Sequence, residues 1–268
     1  MIFGALALGV LIGLSLGALG GGGSILTVPA LVFVLGLTAQ QATAGSLVIV
    51  GVTAALASVG HARAGNTRWG RGVVLALVGV PASVLGSKLN RDVEADTLLM
   101  AFAALMVIAA VGMLLRARPV PDEPATPAGP LAGGNGTTLT RQAAPSAVLL
   151  ASRVVAAGLG IGFLTGFLGV GGGFIIVPVL VVLLHYPMPV AVGTSLLVIA
   201  LNSVVALAAR IGHGGLVWHI VLPFTLAAVA GSVGGTQIGD RAEAASLTRA
   251  FAVLLLVVAA CVGIKAGL

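Results

Sequence analysis

Apolar residues run along this chain in long segments separated by short polar breaks. The segments do not alternate between apolar and polar positions, as the strands of a membrane β-barrel do over about ten residues. Most approach the ~20 residues that a helix needs to cross a bilayer, and a helix satisfies its own backbone hydrogen bonds there. The pattern therefore predicts an all-α polytopic membrane protein. We place helical segments near residues 2–19, 24–37, 42–60, 72–88, 97–115, 148–168, 173–186, 190–209, 216–236 and 246–266.

Composition excludes most other classes of protein. Hydrophobic residues make up 59% of the 268 residues and charged residues 7%, whereas about 25% of a soluble domain is charged. The mean hydropathy is +1.19, so a soluble enzyme, a nucleic-acid-binding protein and a disordered chain are excluded. The net charge of +6 comes from basic residues scattered between apolar runs, as in the cytoplasmic loops of membrane proteins. We expect the lipid bilayer, and no nucleic acid, as a partner.

One stretch of the chain differs from the rest. Residues 116–146 are rich in proline and glycine, and six of the 12 prolines lie there. Such a composition is typical of an extended linker exposed to water. The chain is therefore predicted to divide into a first transmembrane repeat at 1–115, the linker at 116–146, and a second transmembrane repeat at 147–268.

The two halves carry the same sequence pattern. A shift of 149 residues aligns them without a gap, and it pairs glycines, prolines, serines and both tryptophans. Internal duplication in a polytopic helical protein is typical of transporter folds. The aligned pairs include Gly9 and Gly158, Gly13 and Gly162, Gly17 and Gly166, Pro29 and Pro178, Ser46 and Ser195, Trp69 and Trp218, and Phe102 and Phe251.

The relative orientation of the halves depends on the short second segment of each. Segments 24–37 and 173–186 have 14 residues, about 21 Å of helix. If the first two segments both cross the membrane, or both enter it and return, the repeats are inverted. If only the second segment re-enters, the repeats are parallel. Either arrangement leaves nine of the 13 basic residues inside, so the positive-inside rule does not choose. We expect inverted repeats with glycine-broken helices near the midplane, because discontinuous helices are common in such folds.

No acidic side chain falls within a predicted span. All seven acids lie in loops, although cation transporters and many proton pumps use an intramembrane carboxylate. This absence favours an anionic or neutral substrate. No metal-ligand spacing, nucleophile elbow or pair of catalytic carboxylates appears either. We therefore expect no enzymatic activity, no metal and no cofactor.

Runs of glycine interrupt both halves, at 20–23 and at 171–173. They permit an unwound turn within the membrane and a fresh helix start, with Ser24 as an N-cap in the first half. A helix start carries free N–H groups and roughly +0.5 elementary charge, so two of them would attract one anion. The alternative is that these glycines only allow close helix packing, the role we assign to the G-x3-G-x3-G runs at 9–17 and 158–166.

A second group of candidates bears hydroxyl or amide donors. The hydroxyl-bearing residues lie near the start of the third segment of their half, and Asn202 lies further along the same segment of the second half. The alternative for the serines and threonines is a bond to their own helix backbone. The group comprises Thr43, Ser46, Thr194, Ser195 and Asn202. The four histidines, including His61, lie near segment ends and are expected to pack at the membrane interface. Arg210 is expected to extend toward lipid headgroups.

The duplicated G-x3-G-x-L-G-x-G-G-G/S-x4-P pattern, each copy followed by an A-x-x-G-S/T-S-L-like element, resembles the sulfite exporter TauE/SafE family, also called the toluene sulfonate uptake permeases. The similarity covers both halves. It implies a multi-pass secondary transporter of the inner membrane that exports small sulfur-containing anions, such as sulfite, sulfoacetate or related sulfonates. The substrate-binding residues it implies are Gly21, Gly22, Gly23, Ser24, Pro29, Ser46, Gly171, Gly172, Gly173, Pro178, Thr194 and Ser195.

Two other functions stay open at this point. An anion channel would use the same helix ends but would show flux without saturation or counterflow. A membrane scaffold would bind no ligand at all. The sequence also leaves open which anion is bound, which ion is coupled to it, and whether the protein is a homodimer.

Overall fold

In a computed structural model, described for residues 2–90, 95–116, 147–168, 173–208 and 216–267, the chain is helical throughout. These ranges contain ten α-helices and one π-helical turn, and no strand. The helices are α1 Ile2–Leu19, α2 Gly22–Pro29, α3 Ala39–Arg63, α4 Trp69–Asn90, α5 Ala95–Arg116, α6 Ala147–Leu168, α7 Gly173–Val182, α8 Met188–Ala208, α9 Trp218–Arg241 and α10 Ala244–Gly267; the π-helical turn is Ala30–Val34.

Each of the ten predicted segments corresponds to a helix. Five helices of the described chain are long and apolar enough to cross a membrane, namely Gln41–Arg63, Trp69–Gly86, Met188–Ala208, Trp218–Arg241 and Ala244–Gly263. The remaining five are apolar but shorter over their described lengths. The second helix of each half is the shortest, with 8 residues in α2 and 10 in α7. Of the linker predicted at 116–146, all residues after Arg116 lie outside the described ranges.

A glycine turn reverses the chain between α1 and α2. Gly20 has φ +77, a backbone conformation that only glycine adopts without strain. Its N–H donates to the carbonyl of Leu16 at 2.9 Å, which closes the end of α1. Gly23 then lies against Ile12 and Leu16, so α2 folds back along α1. The reversal places the start of α2 inside the helix bundle.

Two helix pairs pack through glycines that face the partner's backbone. In the first pair α1 lies against α9, and in the second α6 lies against α4. Residue numbers rise together along both helices of each pair, so each pair is parallel. A Cβ at any of these glycines would overlap partner backbone, which explains why no larger residue stands there. The contacts are Gly13 with Ala228, Gly17 with Ser232, Gly162 with Gly79, and Gly166 with Ser83.

Helix α3 packs against α8 in the opposite sense. Gly51, midway along α3, lies against Ser203 near the end of α8, whereas His61 near the end of α3 lies against Gly193 near the start of α8. These two helices therefore run antiparallel. Around α8 lies the larger apolar core, which includes the buried rings of Phe102, Phe174 and Phe251.

Local hydrogen bonds fix both ends of α3. Thr38 and Gln41 form a reciprocal capping box at its start, which satisfies two free N–H groups. At its end Gly65 adopts φ +77, its N–H donates to Ala62, and the N–H of Asn66 donates to the carbonyl of His61 at 2.9 Å. This is a Schellman termination, and it fixes the loop that leads into α4.

Candidate functional site

The starts of the two short helices meet inside the bundle. Gly21, the residue before α2, lies against the backbone of Gly173 and Phe174 at the start of α7. In return, Gly173 lies against the side chain of Ser24 in the first turn of α2. All these residues except Ser24 are buried. The absence of side chains at Gly21 and Gly173 allows this approach, because a Cβ on either would overlap its neighbour.

Helix α8 borders this junction. A Cβ on Gly20 would come within 2.6 Å of the hydroxyl oxygen of Ser195 and within 3.1 Å of the Cα of Val192. Ser195 is fully buried. Three of the predicted site residues, Gly21, Gly173 and Ser195, therefore come together around the turn at Gly20. We call this arrangement the glycine junction.

The glycine junction has a positive potential without a charged side chain. A helix start carries about +0.5 elementary charge from its aligned peptide dipoles, and its first N–H groups have no acceptor within the helix. The residues that form the junction, from Gly20 to Ser24 with Gly173 and Ser195, are all uncharged. The positive potential of the two helix starts therefore comes from backbone dipoles.

The sequence-based prediction that Ser24 caps α2 is wrong. The helix begins at Gly22, its N-cap is Gly21, and no side chain caps that end. Ser24 lies in the first turn and its hydroxyl donates to the carbonyl of Gly21 at 2.7 Å. A serine N-cap accepts a hydrogen bond from the helix N–H groups, so this geometry leaves those N–H groups without a hydroxyl partner.

The other predicted hydroxyls also bond to backbone. Ser46 donates to Thr43 and Ser195 donates to Val192, each at 2.8 Å and each to a carbonyl one turn earlier. The Thr194 hydroxyl accepts from the N–H of Arg68 at 3.2 Å and thereby joins α8 to the loop before α4. Ser46 and Ser195 therefore bond to their own helix backbone, which was the alternative to substrate binding. Thr194 bonds to the backbone of a different segment. Their role in substrate binding stays a prediction.

The remaining predicted residues take different positions. Gly22 faces the side chain of Leu254 in α10, and Gly23 packs on α1. Pro178 is buried within α7, whereas Pro29 is exposed at the end of α2, away from the helix start. Gly171, Gly172 and Arg210 lie outside the described residues.

His61 is a residue whose position the sequence did not predict. It was expected at the membrane interface, but its side chain is 2% exposed. Its Nε2 lies 3.1 Å from the carbonyl oxygen of Gly17, in the last turn of α1. Gly193 of α8 lies against the Cβ of His61, and no motif in the sequence indicates either contact.

An arginine and a tyrosine join the two halves near the C-terminal end of α3, through a hydrogen bond and a cation–π contact. Arg71 donates from Nη1 to the hydroxyl of Tyr186 at 2.8 Å, and its guanidinium carbon lies 5.7 Å from the ring centroid. Tyr186 follows α7, and Arg71 lies in the first turn of α4. Among the described residues no group of three or more histidine, cysteine or acidic side chains is placed to hold a metal ion.

The comparison with known protein families decides the class of this protein. The model of the sulfite exporter TauE/SafE family matches residues 5–262. The chain belongs to the TauE/SafE family. A relative from Xylella fastidiosa strain Temecula1, named "Probable membrane transporter protein", is 34% identical over 255 residues, which cover 94% of this chain and 90% of the relative.

Two Bacillus subtilis proteins are similar to this chain at lower identity. "Probable membrane transporter protein YunE" is 24% identical over 95% of this chain and 94% of its own length. "Probable membrane transporter protein YdhB" is 26% identical over 70% of each chain. No solved structure matches the chain. Together with the apolar helices, these relatives identify a multi-pass membrane transporter of the TauE/SafE family.

Proposed function

We propose that this protein is a secondary transporter of small sulfur-containing anions, such as sulfite, sulfoacetate or related sulfonates, across the inner membrane, and that the anion binds at the glycine junction. The observation that carries the proposal is the contact between Gly21 and Gly173, which brings two helix starts to one point. The family name supports the chemical class of the substrate and the direction of export.

The electrostatics of the glycine junction favour reversible anion binding. A fixed lysine or arginine at the membrane centre would cost about 3 kcal/mol on insertion scales. Two helix starts attract an anion with up to ~2 kcal/mol each in partly buried sites, without that burial cost. Partial charges also hold the anion less tightly than an ion pair does, so the anion leaves again on the other side.

We further propose that the protein is built from two inverted repeats. The 149-residue shift relates the helix contacts as well as the sequences. Under it, the contact of Gly17 with Ser232 becomes that of Gly166 with Ser83, and the contact of Gly13 with Ala228 becomes that of Gly162 with Gly79. Reciprocal contacts of this kind are expected of two repeats related by a pseudo-twofold axis.

The direction of α3 and α8 supports inversion over a parallel arrangement. These helices occupy equivalent places in the two halves, and the pairs Gly51 with Ser203 and His61 with Gly193 make them antiparallel. Parallel repeats would point equivalent helices the same way. Inverted repeats with discontinuous helices around a midplane site are a known arrangement for alternating access, which supports a transporter.

A binding screen followed by a flux assay tests the proposed function. Detergent-solubilised protein is heated with sulfite, sulfate, thiosulfate, sulfoacetate or taurine, against chloride at equal ionic strength. A ligand present at 100 times its Kd stabilises the native state by about 2.7 kcal/mol. We expect stabilisation by at least one sulfur oxyanion. If none stabilises the protein and reconstituted vesicles transport only cations, the proposed function is wrong.

Counterflow distinguishes the transporter from the channel. Proteoliposomes preloaded with unlabelled anion should accumulate labelled anion transiently, because a transporter exchanges one for the other. A channel would give flux that neither saturates nor shows counterflow. A scaffold would give neither binding nor flux.

A further inference from the structure

The position of His61 links a titratable group to the proposed anion site. Its ring bonds to Gly17, three residues or about 4.5 Å of helix before the turn at Gly20. The Cβ of His61 lies against Gly193 of α8, two residues before Ser195. Both backbones that His61 touches therefore lead directly into the glycine junction.

The hydrogen bond fixes which ring nitrogen of His61 carries a proton in the neutral state. A carbonyl oxygen only accepts, so Nε2 must donate to Gly17. The carbonyls in the last turn of a helix have no partner within it, and His61 thereby satisfies one at the broken end of α1. The lone pair of the neutral ring is then on Nδ1.

Nδ1 of His61 is buried and has no hydrogen-bond partner among the described residues. The hydroxyl of Thr67, in the loop that follows α3, is likewise buried without a partner, and its oxygen would lie 3.0 Å from a Cβ on Gly193. Unsatisfied buried polar atoms are rare in native proteins and call for an explanation. Here both belong to residues that lie against Gly193, two positions before Ser195.

We propose that His61 binds the proton that is coupled to anion binding. This inference rests on the proposed function. A proton from water adds to the free lone pair of Nδ1, no covalent bond breaks, and Nε2 keeps its bond to Gly17. The resulting imidazolium adds a full positive charge beside the glycine junction, and a bound anion offsets the cost of burying that charge. The anion and the proton therefore stabilise each other.

The charges around His61 do not provide a competing acceptor for this proton. Helices α1 and α8, which pack on the ring, contain no titratable residue in their sequences. Thr236 of α9 approaches Gly60, and the charged residues one turn further along α9 are exposed. The charged groups at this end of α3 in the described chain are Arg63, Arg68, Arg71, Asp240, Arg241 and Glu243. The two acids among them, Asp240 and Glu243, are both exposed at the end of α9 and just after it.

Reciprocal linkage gives the sign of the pH dependence. If the anion favours protonated His61, lowering the pH tightens anion binding by at most about tenfold per pH unit for one proton. The dependence is measured between about pH 5 and pH 8. One proton carried with the anion lowers the negative charge of the unit that crosses the membrane.

The test measures the binding of methanesulfonate, whose own charge is constant over this pH range, to the full-length protein. Wild-type protein should bind it more tightly at pH 5.5 than at pH 8. The His61→Gln variant keeps an N–H donor for Gly17 but does not titrate, so its affinity should be constant within about twofold. His219→Gln, at an exposed histidine of α9, should behave like the wild type.

Proton uptake provides a second test, which does not require His61→Gln to fold. The triple variant His185→Gln/His213→Gln/His219→Gln leaves His61 as the sole histidine of the chain. When methanesulfonate is added near pH 6.5 in weak buffer, this variant should take up as much as one proton from solution per bound anion. Anion binding without proton uptake, or a pH dependence unchanged in His61→Gln, would overturn the role of His61 and leave the proposal of anion transport standing.

If wild-type protein binds no anion at any pH, the proposed function is wrong, and this inference is wrong with it.

Discussion

At the scale of single residues, the site is defined by missing side chains. Gly21 and Gly173 have no Cβ, and this allows two helix starts to touch. The hydroxyls that surround them bond to carbonyls one turn earlier. The N–H groups of Gly20, Gly21 and Ser24 also donate to carbonyls. Under the proposed function, the donors for an anion at the glycine junction are the remaining backbone N–H groups of the helix starts, so substitutions at glycine should have larger effects than substitutions at serine.

Gly21→Ala should abolish most transport. Its Cβ would overlap the backbone of Gly173, so the two helix starts must separate, at an overpacking cost of about 1–3 kcal/mol. The matched control is Gly234→Ala in α9, whose Cβ would meet only the side chain of Leu14, at 3.8 Å. We expect at least a tenfold loss of initial flux for Gly21→Ala and less than a twofold loss for Gly234→Ala. Equal flux in both variants would contradict the glycine junction as the binding site.

Ser195→Ala should have a small effect on binding. The hydroxyl donates to Val192, and loss of such a bond changes stability by about 1 kcal/mol. We expect the apparent Kd for a sulfur anion, measured by thermal shift, to rise no more than about fivefold. A loss of binding in a folded variant would mean that Ser195 rotates to donate directly to the substrate.

At the scale of helices, glycine rows determine how the halves join. Pairs α1 with α9 and α4 with α6 bring backbones together where glycine faces glycine, alanine or serine. In a bilayer, close van der Waals contact of this kind replaces the hydrophobic drive that acts in water. The thermal stability of the helix bundle should therefore depend more on which helix face each glycine occupies than on the number of glycines.

Gly162→Ala and Gly160→Ala test this on a single helix. A Cβ on Gly162 would overlap the backbone of Gly79, whereas one on the exposed Gly160 would meet nothing within 4 Å. We expect Gly162→Ala to lower the midpoint of thermal unfolding in detergent, through an overpacking cost of about 1–3 kcal/mol. Gly160→Ala should leave it unchanged or raise it, because alanine favours a helix by up to ~1 kcal/mol over glycine. The same midpoint for both variants would contradict glycine-mediated packing.

At the scale of the whole molecule, inverted and parallel repeats differ in which membrane face each loop reaches. Lys88 near the end of α4 and Gln237 near the end of α9 occupy equivalent positions under the 149-residue shift, and both are exposed. Inversion sends these two positions to opposite faces. It also places both chain ends on the face opposite the linker and the basic loop at 61–71.

Single cysteines test this arrangement in a Cys261→Ser background. Lys88→Cys and Gln237→Cys should react with a membrane-impermeant thiol reagent from opposite faces of sealed vesicles. Ala64→Cys, in the exposed loop after α3, should react from the same face as Gln237→Cys. Labelling of positions 88 and 237 from one face would establish parallel repeats.

The sequence by itself determined the membrane class, the ten helical segments, the glycine turn at Gly20 and the family resemblance. These properties are local, because the length of an apolar run and the lack of a Cβ act through the chain itself. The partner of each helix, the buried position of His61 and the contact of Gly21 with Gly173 were decided only by the tertiary structure. The Ser24 prediction failed for the same reason: a hydroxyl has several backbone partners within reach, and its choice depends on where the packed bundle begins the helix.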